Sequence, residues 1–94
     1  TDMDSNKTVG VVLNLQLLNE SNNTYLLSVV DANDIVEKYL ITSRTAFYDQ
    51  NGTILSEMNA EELKFGMKLV AFSGHYPETI RDDIYPATEI KLYD

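Results

Sequence analysis

The stretch VGVVLNLQLL at residues 9–18 has an apolar side chain at every odd position from Val9 to Leu17. Gly10, Asn14 and Gln16 stand at alternate positions. Successive side chains of a β-strand point to opposite faces, so a period of two residues predicts a long strand that is buried on one face. The stretch is well short of the roughly 20 apolar residues that a membrane-spanning helix needs. We therefore expect no membrane insertion of the domain.

Four further strands are predicted after the first. Each is a short run that is rich in β-branched and aromatic residues or alternates between apolar and polar ones, and residues that favour turns bound it. The four runs are residues 25–30, 35–48 with a break at 42–44, 67–73 and 87–93. Within 49–52, the pair Asn51-Gly52 predicts a tight turn with positive φ angles.

One short helix is predicted between the third and fourth strands. Residues 59–62, Asn-Ala-Glu-Glu, have the spacing of a capping box, in which the first and last side chains each bond the other's backbone. Gly66 stands where a left-handed residue ends a helix. Because so short a helix is unstable alone, we expect Leu63 and Phe65 to be buried against the sheet.

These elements predict a mainly β protein, a small five-stranded and partly open barrel like the oligonucleotide/oligosaccharide-binding (OB) fold. The chain of 94 residues has room for one core, so residues 8–94 are expected to form a single domain after a flexible stub at 1–7. An open meander or a small sandwich would use the same strands differently. The barrel requires the first strand to pair with both the second and the fourth.

The charge of the chain limits its partners. Fifteen acidic residues against seven basic ones give a net charge of -8, which repels the phosphate backbone of nucleic acids. The absence of cysteine excludes disulfides, thiolate metal sites and thiol nucleophiles. We therefore expect no nucleic-acid partner, and the sequence implies no cofactor.

Three segments of the chain are similar to the YobA-like domain, a group of small β-barrels in secreted proteins and lipoproteins of Gram-positive bacteria. They are residues 9–12, residues 41–45 before an Asp-x-Asn-Gly turn, and residues 62–69. The resemblance covers most of the chain from Thr8 to Leu92 and carries no catalytic residue. It implies an exported, non-enzymatic module that is secreted or lipid-anchored. A start at Thr1 is consistent with removal of a signal peptide or with a cloning boundary.

Tyrosine and arginine side chains are the candidate ligand-binding groups, together with the single histidine. Tyrosine rings stack on sugars and peptides, and guanidinium groups form paired hydrogen bonds with carboxylates or phosphates. In barrels of this type the second and third strands and the rim loops bind the ligand. The candidates are Tyr25, Tyr39, Arg44, His75, Tyr76, Arg81 and Tyr85. The alternative is that most of these tyrosines only cover the barrel with an apolar ring and a wet hydroxyl.

Two classes of function fit these residues. The first is a non-catalytic extracytoplasmic binding module for a protein, a peptide or a cell-wall polymer. The second is a small hydrolase or metal-dependent enzyme centred on the long loop 74–86, with His75, Glu78, Arg81 and the pair Asp82-Asp83. A single histidine gives a transition metal few ligands, and adjacent acids in a loop are usually solvated, so we predict no metal and no catalytic residue.

Overall fold

A computed structural model describes residues 7–73 and 84–93 of the chain. Nearly all of the predicted stub, and residues 74–83 of the predicted loop, lie outside this part. The described strands are β1 (Lys7–Asn19), β2 (Thr24–Asp31), β3 (Val36–Ile41), β4 (Ala46–Tyr48), β5 (Lys68–Phe72), β6 (Ile84–Pro86) and β7 (Glu89–Tyr93). They form one sheet in the order β4-β7-β5-β1-β2-β3-β6. The predicted mainly β class is confirmed.

The predicted number of five strands is wrong, because the described residues form seven. The expected third strand, 35–48, is divided into β3 and β4 by a turn. Thr42 Oγ1 accepts a hydrogen bond from Arg44 N at 3.1 Å, and Thr45 N donates to Thr42 O at 3.1 Å. These local bonds replace ladder bonds at the break. The additional strand, β6, lies in the predicted loop and ends at Pro86, which cannot donate to a ladder and is tolerated at a sheet edge.

The strand β1 pairs with two neighbours. Residues Gly10 to Asn19 pair antiparallel with β2, and Lys7 to Val11 pair antiparallel with β5. Gly10 and Val11 therefore have a partner on each side. This is the double pairing that the barrel architecture requires of the first strand.

The alternation in β1 predicts burial of one face, but the buried residues of its first half are not the odd-numbered ones. Thr8 and Val12 are buried, whereas Val9 is 57% exposed. Thr8 is accommodated inside because its hydroxyl lies 2.7 Å from the hydroxyl of Tyr39. A register shift between Val12 and Asn14 then exchanges the faces, so that Leu15 packs against the core.

The two end strands of the sheet are β4 and β6. Each is joined by a short connection to a strand near the other end of the strand order. Residues 42–45 link β3 to β4, and residues 87–88 link β6 to β7. Since β3 pairs parallel with β6 and β4 pairs parallel with β7, these two parts of the chain run side by side. Between the two ladders, Ala87 N donates to Leu40 O at 2.9 Å and Ala46 N donates to Thr88 O at 3.0 Å.

The core is a cluster of apolar side chains to which six strands, all except β6, contribute buried residues. Its largest fully buried members come from β2, β3, β5 and β7. They are Leu27, Tyr39, Ile41, Leu69 and Ile90.

The predicted short helix between the third and fourth strands is also not matched, although a turn forms within the predicted residues 59–62. Ala60–Glu62 is a single 3₁₀ turn, and it lies between β4 and β5. The capping box is present, and the backbone nitrogen of Asn59 donates to Glu62 Oε2 at 3.3 Å. The turn ends at once because Leu63 is extended and donates to Ala60 O at 3.0 Å.

The two apolar residues that were expected to hold this segment differ in burial. Leu63 is buried as predicted, but Phe65 is 80% exposed. Gly66 has the predicted positive φ of 86° and donates from its backbone nitrogen to Val12 O at 2.8 Å. This bond ties the chain to β1 one residue after Phe65, which leaves the phenylalanine ring in solvent.

Candidate functional site

A polar pocket lies between the β1–β2 loop, residues 20–23, and the turn at 42–44. Its volume is about 200 Å³. We call it the rim pocket, and its polar lining residues are Asn23, Tyr25, Thr42, Ser43, Thr45, Asn59 and Glu61. A shallower hollow shares Asn23, Thr42 and Ser43 with it and adds Arg44.

Local hydrogen bonds hold the two loops of the rim pocket in place. In the β1–β2 loop, Asn19 Oδ1 accepts from Asn22 N at 3.3 Å, and Asn23 has a positive φ of 51°. Asparagine tolerates this left-handed conformation better than most residues. In the other loop, Thr45 Oγ1 accepts from Thr42 N at 3.1 Å. The pocket is therefore built on turns that the local sequence stabilises.

Tyr25 lines the rim pocket and is buried. Burial raises the pKa of its phenol above the usual value near 10, and the negative charges of Glu61 and Glu20 raise it further. The phenol also forms a hydrogen bond with the Glu61 carboxylate, which favours the protonated tyrosine. Tyr25 is therefore a neutral hydrogen-bond donor at physiological pH.

We expect Tyr25 to titrate above pH 10, and the substitution Glu61→Gln to lower its pKa towards that value. A phenol with a raised pKa in the folded state stabilises the fold below pH 10, and this contribution is lost as the pH rises through the folded-state pKa. The measurement is an NMR titration of 13C-labelled tyrosine rings. Glu57→Gln is the control, since Glu57 is exposed and is not among the groups that shift Tyr25. A Tyr25 pKa at or below 10, or equal effects of the two substitutions, would contradict this assignment.

The structure divides the four described candidates between two places. Tyr25 lines the rim pocket and Arg44 lines the adjoining hollow, where Arg44 is exposed. Tyr39 is fully buried, with its ring tilted against that of half-buried Tyr85 at 5.8 Å between centroids. Tyr39 therefore presents no surface to a ligand. The other candidates, His75, Tyr76 and Arg81, lie outside the described residues.

A second surface was missed in the sequence analysis. It is the outer side of β1, β5 and β7, where the pairing registers place nine residues in three rows. The rows are Val11-Lys68-Tyr93, Val9-Val70-Lys91 and Lys7-Phe72-Glu89. We call this surface the basic face, and a concavity of about 680 Å³ lies over it. The alternating residues of each strand can be seen in the sequence. Only the pairing registers show that those of β1, β5 and β7 lie side by side on one face.

The residues named for the enzymatic alternative, His75, Glu78, Arg81 and the pair Asp82-Asp83, lie outside the described residues. Across residues 7–73 and 84–93, no group of three or more His, Cys, Asp or Glu side chains could hold a metal ion. Except for Tyr85 and its two neighbours in β6, the loop 74–86 lies outside these ranges. The alternative of a hydrolase or metal-dependent enzyme stays a prediction.

Comparisons with known proteins gave no relative. No family model matched the chain, and no curated protein or solved structure was found to be similar to it. The YobA-like resemblance therefore stays a prediction from the sequence. Among the described residues, no helix has the length and apolar character needed to cross a bilayer.

Proposed function

We propose that the chain is a non-catalytic binding module with an OB-like barrel, and that the rim pocket is its ligand site. The observation that carries the proposal is the position of the pocket. Barrels of this class bind extended ligands at the second and third strands and at the rim loops. The rim pocket lies beside the loop before β2 and at the end of β3.

The strand pairings support the barrel part of this proposal. In the OB fold the first strand pairs with the second and fourth, and the fifth closes the barrel against the third. Here β1 pairs with β2 and β5, while the two parts of the last segment, β6 and β7, pair with β3 and β4. If β3 and β4 are counted as one strand, and β6 and β7 as another, the barrel has five strands. Burial of Phe47, from one end of the strand order, in the same cluster as Tyr39 fits a curled sheet.

The lining of the rim pocket favours an uncharged polar chain, a peptide or a polysaccharide. Asn23 and Ser43 of the pocket and Arg44 of the adjoining hollow are exposed, and their side chains form no hydrogen bond with another described residue. They offer donors and acceptors above the neutral phenol of Tyr25. The Arg44 guanidinium offsets only part of the negative charge of Glu61 and Glu20, so the site does not favour an anion. An extracytoplasmic location belongs to the proposal and rests on the resemblance in sequence.

The test is an NMR titration of the 15N-labelled domain with soluble cell-wall polysaccharide fragments and with short unstructured peptides. A true ligand is expected to shift the amides of residues 20–23 and 42–45. Arg44→Ala should weaken binding about tenfold, because it removes hydrogen bonds from a charged donor. Lys64→Ala is the matched control, since it removes one exposed cation away from the pocket. If no probe shifts these amides, or if the two variants bind alike, the rim pocket is not the site.

A further inference from the structure

The basic face differs in charge from the rest of the chain. It gathers Lys7, Lys68 and Lys91, three of the five lysines of a protein with a net charge of -8. Glu89 at one corner is the single acid among the nine residues of the three rows. Within the described part of the chain, no carboxylate lies within ion-pair distance of the three amines. Among residues 7–73 and 84–93, the positive charge of these three amines is therefore not neutralised by an ion pair.

The lysines are distributed in a regular way. Each of the three rows and each of the three strands contains one of them. Neighbouring strands are about 4.8 Å apart, and residues on one face of a strand repeat about every 7 Å. The Cα atoms of Lys68 and Lys91, diagonal neighbours on this grid, are therefore roughly 8 Å apart. This spacing is close to that of alternate side chains in an extended peptide.

Apolar side chains fill the positions between the lysines. Val9 and Tyr93 are exposed, Val11 and Phe72 are half-buried, and Val70 lies buried at the centre. The Nζ atom of Lys91 lies 5.8 Å from the centroid of the Tyr93 ring, where a cation and an aromatic ring attract. An exposed apolar patch with charges around it is typical of a surface that binds another protein. The face suits a ligand that carries both carboxylates and apolar side chains.

We infer that the basic face is a docking surface for an extended acidic segment of a partner protein, with carboxylates and apolar side chains at nearby positions. Charge complementarity carries the inference, since carboxylates of the partner would pair with Lys7, Lys68 and Lys91. This surface is formed by β1, β5 and β7, and the rim pocket by other residues. The inference therefore goes beyond the proposed function and does not depend on it.

Other partners fit the basic face less well. A phosphate polymer gains affinity from many cationic contacts, but this face offers three lysines and no arginine within a chain of net charge -8. The same net charge opposes approach to an anionic membrane. A symmetric dimer through this face would bring its lysines close to those of the second copy, because both copies use the same surface. The net charge also opposes an acidic peptide at long range, but a few carboxylates are enough to pair with three lysines, and the peptide's apolar side chains match the apolar residues between them.

The test uses a fluorescent capped peptide of alternating glutamate and leucine, with binding to the full chain followed by fluorescence anisotropy. The double substitution Lys68→Glu and Lys91→Glu is expected to weaken binding at least tenfold. Lys38→Glu with Lys64→Glu is the control, because it makes the same change in net charge with exposed lysines outside the face. We expect the control to bind within about twofold of the native chain. Circular dichroism would be used to check that both variants are folded.

A second pair of measurements tests the apolar part of the surface. Val9→Ser, at a residue that is 57% exposed, is expected to weaken binding about threefold without unfolding the domain. A probe with serine in place of leucine should bind at least fivefold more weakly. Equal loss in the two lysine variants would overturn the inference. So would tighter binding of inorganic polyphosphate or of anionic vesicles than of the peptide. Arg44→Ala should leave this binding unchanged, which separates the result from the test of the rim pocket.

Discussion

Replacing Gly10 with alanine is expected to lower the free energy of unfolding by about 3 kcal/mol. A Cβ atom at this position would lie 2.1 Å from the carbonyl oxygen of Val30 and 2.8 Å from its carbonyl carbon. Both are backbone atoms of β2, so no side-chain rotation relieves the clash. Gly10 also has strand partners on both sides, Asp31 in β2 and Leu69 in β5. Displacing it would disturb both ladders at once.

Urea denaturation followed by circular dichroism measures this loss directly. Because a domain of this size loses about 4–8 °C in melting temperature per kcal/mol, Gly10→Ala should melt at least 12 °C below the native chain. Gly52→Ala and Gly66→Ala are the controls. A Cβ at either position meets no atom within 4 Å, and the expected cost of about 1 kcal/mol comes only from their positive φ angles. If Gly10→Ala is as mild as these controls, the close approach of β1 and β2 is not a determinant of the fold.

The strands could be predicted from the sequence because alternation and turn residues are local signals. The strand at 9–18 and the turn at 49–52 are observed, although Gly52 has a positive φ and Asn51 does not. Burial in β1 could not be predicted in the same way, since it depends on non-local contacts. Val9 looks like a core residue by composition, but the hydroxyl pair of Thr8 and Tyr39 places Thr8 inside and Val9 outside.

Because non-local contacts cannot be predicted from local sequence signals, only some of the site residues were identified from the sequence. Tyr25 and Arg44 were predicted because tyrosine and arginine are chemically conspicuous, and they border the rim pocket. Tyr39 was included for the same reason, although its ring is fully buried. Tyrosine suits both places because it combines an apolar ring with a polar hydroxyl. The basic face was missed because it consists of ordinary valines and lysines that become neighbours only through strand registers.

Thr45→Val is expected to destabilise the domain by about 2 kcal/mol, because it removes a hydroxyl that joins the two parallel segments. Thr45 Oγ1 donates to Ala87 O at 2.8 Å and accepts from Thr42 N at 3.1 Å, and the residue is buried. Valine has nearly the same shape, so the substitution leaves both backbone groups without this partner and creates no cavity. These bonds lie where β3 passes into β4 and β6 passes into β7. The loss of stability should therefore be greatest at the junction between these two segments.

The measurement for Thr45→Val combines urea denaturation with amide hydrogen exchange. The amides of Ala46 and Ala87, which bond to Thr88 O and Leu40 O across the junction, should exchange faster in this variant than in the native chain. Amides of the β1–β2 ladder should keep their protection. Thr45→Ser retains the hydroxyl and is expected to cost less than about 1 kcal/mol, since it removes only one methyl group. If Thr45→Val costs less than Thr45→Ser, the methyl group contributes more than the hydrogen bonds to the junction, and the proposed barrel loses this support for its closure.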